Sequence, residues 1–279
     1  MVRQIILTAL DGTLLNSASV GAPSHEGRSS KTLTDAANDE RLKQAIAQLK
    51  AQNVAVVVFT ERDRVELEPI RQSLGLVDPF VVESGSAIFT SVHHDPFDSE
   101  LGEKEGEYFV QELGCPYVQA RAGLRVIANV VSHPLKGFGD FTVPQLQKMA
   151  KLSETAAHQA KAREFSELFM TPKAVEADTL HQAASEIGFE LMLRDPEESR
   201  FSELLGEGTS LVSAATALLL AYQAQLEDGQ DLQVMAISHR SSDLSSLDKV
   251  KAELGLNHWE SILVENAPDG WLDAIASLF

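Results

Sequence analysis

The stretch IILTALDGTLL, Ile5 to Leu15, constrains the chain more than any other. An apolar run this short, rich in Ile and Leu and ending in Asp-Gly-Thr, predicts a buried strand that delivers the Asp11 carboxylate to a loop. A strand buried on both faces needs helices above and below it, and the residues that follow supply them. ERLKQAIAQLKAQN sets Leu42, Ile46 and Leu49 on one helical face, VAVVVFT reads as a second buried strand, and RVELEPIRQSLGL as a second helix with Pro69 inside it. PFVVESGSAIF reads as a strand that turns at Ser84-Gly85. Strand and helix alternating over ~90 residues predict right-handed crossovers and a parallel sheet with helices on both faces. Between the first strand and the first helix, Asn16 to Asp39 reads as a long loop rich in Ser, Gly and Pro.

From Val92 to Asp195 the rhythm breaks. EYFVQELG predicts a strand and PYVQARAGLRVIANVVSH a helix. A glycine-bearing loop with two short helices follows, then the helix VEADTLHQAASEI and the strand GFELMLR. The sheet pattern resumes with the helix SLVSAATALLLAYQAQL, the strand LQVMAIS, the helix DLSSLDKVKAEL, the strand SILVEN and the helix DGWLDAIASLF. The expected class is α/β, with a parallel-sheet core from 1–91 and 196–279 and an inserted α+β unit over 92–195.

Charge narrows the partners. The 279 residues carry 23 Lys and Arg against 41 Asp and Glu, a formal net charge of −18. That field repels nucleic-acid backbones and anionic membrane surfaces, so neither is an expected partner, and any phosphate site has to be built locally. Cys115 is the single cysteine, which excludes an internal disulfide and a cysteine-ligated zinc. No segment reaches the ~18 apolar residues of a membrane span, and the apolar run after Arg3 is too short for a signal core. A cytoplasmic protein is the expectation.

Ligands of an open parallel sheet gather beyond the carboxyl ends of its strands, here at Ala9 to Thr13, Thr60 to Arg62, Glu83 to Gly85 and Ser238 to Asp243. Asp-Gly-Thr at the first end, Thr60 at the second and an inserted cap together resemble the haloacid-dehalogenase superfamily of phosphatases. The cap phrases KGFGDFTVPQLQKMAKLS and AKAREFSELF, with VVESGSAI, RFSELLG and the terminal APDGW, resemble mannosyl-3-phosphoglycerate phosphatases in particular. The resemblance implies a HAD-like core that holds Mg²⁺ and phosphate, and a cap that recognises the organic part of a glycosyl phosphoglycerate. In the family, the first Asp of Asp-x-Asp-Gly-Thr attacks phosphorus, the second acts as acid and base, and a Lys before a later helix holds phosphoryl oxygens. A GDxxND-like loop supplies metal carboxylates.

Against that set, three motifs have changed. Ala9 stands where the nucleophile belongs, and a methyl group neither attacks phosphorus nor ligates a metal. Asp11 keeps the acid/base position, and the resemblance places Gly12, Thr13, Thr60 and Arg62 around the phosphate. The Lys position falls at Ser210 or Leu211. In SHRSSDLSSL the Gly-Asp pair becomes Ser238-His239 and the Asn becomes Ser242, which leaves Asp11, Asp243 and His239 as a degenerate metal set that suits Mg²⁺ poorly. A single substitution at position 9 accounts for none of the other losses. In the cap, Lys136, Asp140, Arg163, Glu164, Ser166 and Glu167 match the family phrases, while Leu168 replaces a usual Pro and Glu203 a usual His.

Each residue also has a plainer role open to it: Asp11 as a turn carboxylate, Thr60 as a helix cap, His239 as a solvated loop residue, and REFSELF as a strand with Phe165 inward and its charges outward. Three functions remain open at this point. The first is a catalytically impaired member that binds a sugar phosphate or phosphoglycerate. The second is an active Mg²⁺-dependent phosphohydrolase working through Asp11 or His239. The third is a scaffold that binds a protein partner.

Overall fold

The computed structural model describes residues 3–16, 40–97, 101–194, 200–227 and 230–278. The loop expected over Asn16 to Asp39 lies outside the described residues except for Asn16. The strands are β1 (Arg3–Ala9), β2 (Ala55–Phe59), β3 (Phe80–Val82), β4 (Ala87–Ser91), β5 (Glu103–Glu105), β6 (Tyr108–Glu112), β7 (Glu167–Met170), β8 (Phe189–Met192), β9 (Phe201–Gly206), β10 (Leu232–Ser238) and β11 (His258–Leu263). The helices, numbered among the described residues, are α1 (Glu40–Ala51), α2 (Arg64–Leu74), α3 (Tyr117–Val130), α4 (Val143–Ala150), α5 (Glu154–Gln159), α6 (Ala177–Ser185), α7 (Leu211–Gln223), α8 (Ser241–Leu254) and α9 (Asp269–Ile275).

An eight-stranded sheet runs β11-β10-β1-β2-β3-β4-β6-β5. Its first five strands are parallel, with Leu7 paired to Ala236 on one side and to Val57 on the other. β2 is buried along its whole length because its Val side chains pack both ways from a strand covered on both faces. One face carries α1, α2 and α9 through Leu42, Leu67, Ile70, Trp271 and Ile275. The other carries α7 and α8 through Leu218, Tyr222, Leu247 and Val250. α2 starts at Asp63, whose side chain accepts from Glu66 N at 2.9 Å, and stops at Gly75 in the left-handed region. Asp63, then, is the cap of this helix, a role also open to Thr60.

The sheet departs from the expected parallel pattern at one edge, where β4, β6 and β5 pair antiparallel. Phe89 opposite Val110 extends the core across this meander, since apolar residues on two successive strands bury each other most directly when a short connection returns the chain. Residues 103–112 join the larger sheet, and β9, beyond 195, is the central strand of a separate three-stranded antiparallel sheet, β7-β9-β8. α3 and α6 cover this smaller sheet through Leu124, Ile127, Leu180 and Phe169, while α4 and α5 pack on Phe138 and Phe201.

Candidate active-site cleft

Between the carboxyl ends of the parallel strands and the inner side of the smaller sheet lies a cleft of about 800 Å³. β1 delivers Ala9 and Asp11 to its floor, β2 delivers Thr60 to Arg62, the turn after β3 delivers Ser84 and Gly85, α7 starts there at Ser210, and the end of β10 adds His239 to Asp243. Met192, Arg194, Phe201, Glu203 and Leu205 close it from the smaller sheet.

At the end of β1 the Ala9 methyl is nearly buried. Asp11 is not a free turn carboxylate: both of its oxygens accept from Arg62, from Nε and from an Nη, each at 2.9 Å. Arg62 spends its other Nη on Glu66 at 2.7 Å. Burial opposes the charge on this guanidinium, but Asp11 and Glu66 outweigh it and raise its pKa. Arg62, expected at the phosphate, is therefore turned onto Asp11, the carboxylate expected in the acid/base position. Beside it Asp63 is buried next to Glu66, and the two effects push its carboxyl up to about 7.

Gly12 has a φ of 72°, and a Cβ there would sit 2.7 Å from the His239 ring. The ring is packed on the Asp-Gly turn rather than solvated. Thr13, fully buried, accepts from His239 N at 2.8 Å and contacts its Nδ1 at 3.2 Å. Burial, then Arg240, lowers the His239 pKa and favours the neutral imidazole. Thr60 Oγ1 accepts from Arg62 N at 3.2 Å. Ser210, at the expected Lys position, caps α7 by accepting from Ser213 N at 3.1 Å.

The residues present do not fit Mg²⁺. Ala9 offers no side-chain oxygen, Asp11 is covered by the Arg62 fork, and Asp243 accepts from Ser238 Oγ at 2.7 Å. Among the described residues no group of three or more His, Cys, Asp or Glu side chains is placed to hold a metal ion.

Of the expected cap residues, Arg163 alone among the described residues lines the cleft, and its guanidinium points into protein. Nε donates to Ser166 Oγ at 2.8 Å, one Nη to Glu61 O at 3.1 Å, and the other to Glu203. Glu83 Oε2 lies 3.5 Å away. Ser166 Oγ reaches Glu83 at 2.6 Å and Glu203 at 2.9 Å, and Ser84 Oγ donates to Glu203 at 2.6 Å. Glu83 is placed by a turn in which Glu83, Ser84 and Gly85 all have positive φ, and it accepts the backbone N–H groups of Glu164 and Phe165. Burial raises its pKa against the pull of Arg163. REFSELF thus turns Arg163, Phe165 and Glu167 inward together, contrary to the alternation with charges outward.

The other cap residues bond elsewhere. Glu164 pairs with Arg64 at 2.9 Å, Glu167 accepts from Gly139 N at 2.9 Å, Asp140 pairs with Arg121 at 2.6 Å, and Lys136 is exposed. Glu61, Asp63, Glu66, Glu83, Arg194 and Arg240 enter the site without having been singled out as ligand residues. The Asp63-x-x-Glu66 spacing at the head of a helix was the readable signal for two of them.

A parallel sheet whose first strand ends in Asp-Gly-Thr, with a second sheet closing over the strand ends, defines the haloacid dehalogenase-like class. A family model for haloacid dehalogenase-like hydrolases matches residues 6–118. A haloacid dehalogenase-like hydrolase from Bacteroides thetaiotaomicron superposes with a TM-score of 0.54 at 16% identity, covering 99% of this chain and 100% of that one, which shows a shared fold. The chain is 30% identical over 204 residues to a glucosyl-3-phosphoglycerate/mannosyl-3-phosphoglycerate phosphatase of Persephonella marina, covering 73% of this chain and 67% of the relative. A mannosyl-3-phosphoglycerate phosphatase of Pyrococcus furiosus is 34% identical over 137 residues, 49% of this chain and 55% of its own length. The chain belongs to the mannosyl-3-phosphoglycerate phosphatase-like branch of the haloacid dehalogenase superfamily. Among the described residues no helix is long and apolar enough to cross a membrane.

Proposed function

We propose that the protein binds a sugar phosphate or phosphoglycerate-type ligand in this cleft without hydrolysing it efficiently. The observation that carries the reading is the Ala9 methyl at the end of β1, beside an Asp11 whose two oxygens are held by Arg62. Without an attacking carboxylate the acyl-phosphate route has no first step, and a carboxylate locked in a two-bond ion pair is a poor proton donor to a leaving oxygen. The cleft itself is retained, with a polar rim and a volume in the range of ordinary ligand sites.

The test is phosphate release from glucosyl- and mannosyl-3-phosphoglycerate with and without Mg²⁺, run beside calorimetric titration of the same compounds. Binding with background release supports the reading. Turnover at ordinary enzymatic rates, abolished by Asp11→Ala, would overturn it.

A further inference from the structure

Two arginines at the mouth of the cleft have no part in the machinery described above. Arg194 lies two residues past β8, in the unit of the smaller sheet, and Arg240 immediately precedes α8 in the larger one. Both place a guanidinium nitrogen on the same atom, Glu61 Oε1. Arg194 also makes a weak contact to Met192 Sδ at 3.0 Å. Glu61 directly follows Thr60 off the end of β2.

Two cations facing one atom hold together because an anion sits between them, and here that anion comes from the chain itself. Among the described residues the two guanidiniums share this one carboxylate, with Asp243 and Asp11 also drawing on Arg240, and side-chain exposures of 20%, 36% and 42% for Arg194, Arg240 and Glu61 keep the group open to the cleft. α8 begins beside it with no side-chain cap, so its first N–H groups add to the positive potential, which Asp243 in the first turn opposes. Elsewhere along the cleft the balance has the opposite sign. Arg62 lies between Asp11 and Glu66, Arg163 between Glu83 and Glu203, and Asp63 and Glu190 add further acids. An anion entering this cleft is repelled from the floor and attracted to the mouth.

We infer that Arg194 and Arg240 form an anion subsite, one that takes a phosphate or carboxylate group of the ligand, with Glu61 as a built-in anion that the ligand displaces. The inference rests on the binding reading above and moves the anionic end of the ligand from the Ala9 floor to the Glu61 rim. Arginine suits the task because its fork offers paired donors to the oxygens of either group.

The test is calorimetric titration of the full chain with inorganic phosphate and with glucosyl-3-phosphoglycerate, in wild type, Glu61→Gln, Arg194→Ala and Arg240→Ala. Thermal unfolding confirms that each variant is folded. Glu61→Gln removes the internal competitor and is expected to tighten binding about tenfold, and each arginine removal to weaken it about tenfold or more. Binding in Glu61→Gln with none measurable in wild type also supports the subsite. If wild type and both arginine variants bind the sugar compound equally, the subsite is overturned while ligand binding stands. No binding of either probe to wild type or Glu61→Gln overturns both.

Discussion

Arg62 and Arg163 are each clamped between two carboxylates, yet they sit in different surroundings. Arg62, with Asp11 and Glu66, belongs wholly to the larger-sheet unit, and its partner Asp11 keeps about a fifth of its side chain in water (21%). Arg163 joins Glu83 from the larger unit to Glu203 on β9, and all three side chains are at most 3% exposed. Chemistry of the same kind therefore serves two ends. The first pair ties up a carboxylate at the cleft floor, while the second fastens one sheet to the other. Burial decides which, because a desolvated carboxylate that loses its cation has no water to turn to.

The sharpest way to break the comparison is to remove each cation by a shape-conserving change. Arg163→Met is expected to cost about 3–5 kcal/mol in urea denaturation, since it strands Glu83 and Glu203. Arg62→Met should cost about 1–3 kcal/mol, because water reaches Asp11 once it is released. Equal costs would show that burial does not separate the two clusters.

Asp63 sharpens the picture through pH. Its folded pKa of about 7 lies above the ordinary 3.8, so the fold favours the protonated form. Its contribution is fully present below pH 3.8 and is lost as pH rises through 7. Asp63→Asn keeps a good helix cap and removes the titration. The variant should gain roughly 2 kcal/mol over wild type between pH 5 and pH 8, read from denaturation midpoints at the two values. A difference that does not change with pH would place the titration elsewhere.

The smallest expected effect is on turnover. Ala9→Asp is expected to leave phosphate release at background, because Arg62 still holds Asp11 and neither Ser210 nor Leu211 brings an ammonium group to the start of α7. Robust release from this single change would show that the floor of the cleft is less altered than its contacts indicate.

The core was legible because its signals are local. The apolar runs at Ile5, Ala55 and Leu232 report burial directly, and the Leu42, Ile46, Leu49 spacing reports a helix face. The edge meander was harder to read. SAIFTS and EYFVQE reveal their partnership only when Phe89 meets Val110. The ion clusters were out of reach for the same reason: Glu83 and Arg163 are 80 residues apart, and Arg62 and Asp11 are separated by 51. A charged residue in a strand reads as outward-facing until the fold supplies its partner, which is why Glu167 and Arg163 were open to that assignment. The proposal for Ala9, by contrast, draws on the residue type at that position alone.

Gly85 carries a further consequence. A Cβ there would come within 2.2 Å of the Ser210 carbonyl oxygen, so the turn after β3 and the first residue of α7 meet backbone against backbone. The launching point of that helix is thus tied to the sheet by shape rather than by any side chain it carries. Side chains at 210 and 211 can therefore be changed while their address stays put, and an engineer rebuilding this pocket inherits a jig on which the tooling can be exchanged.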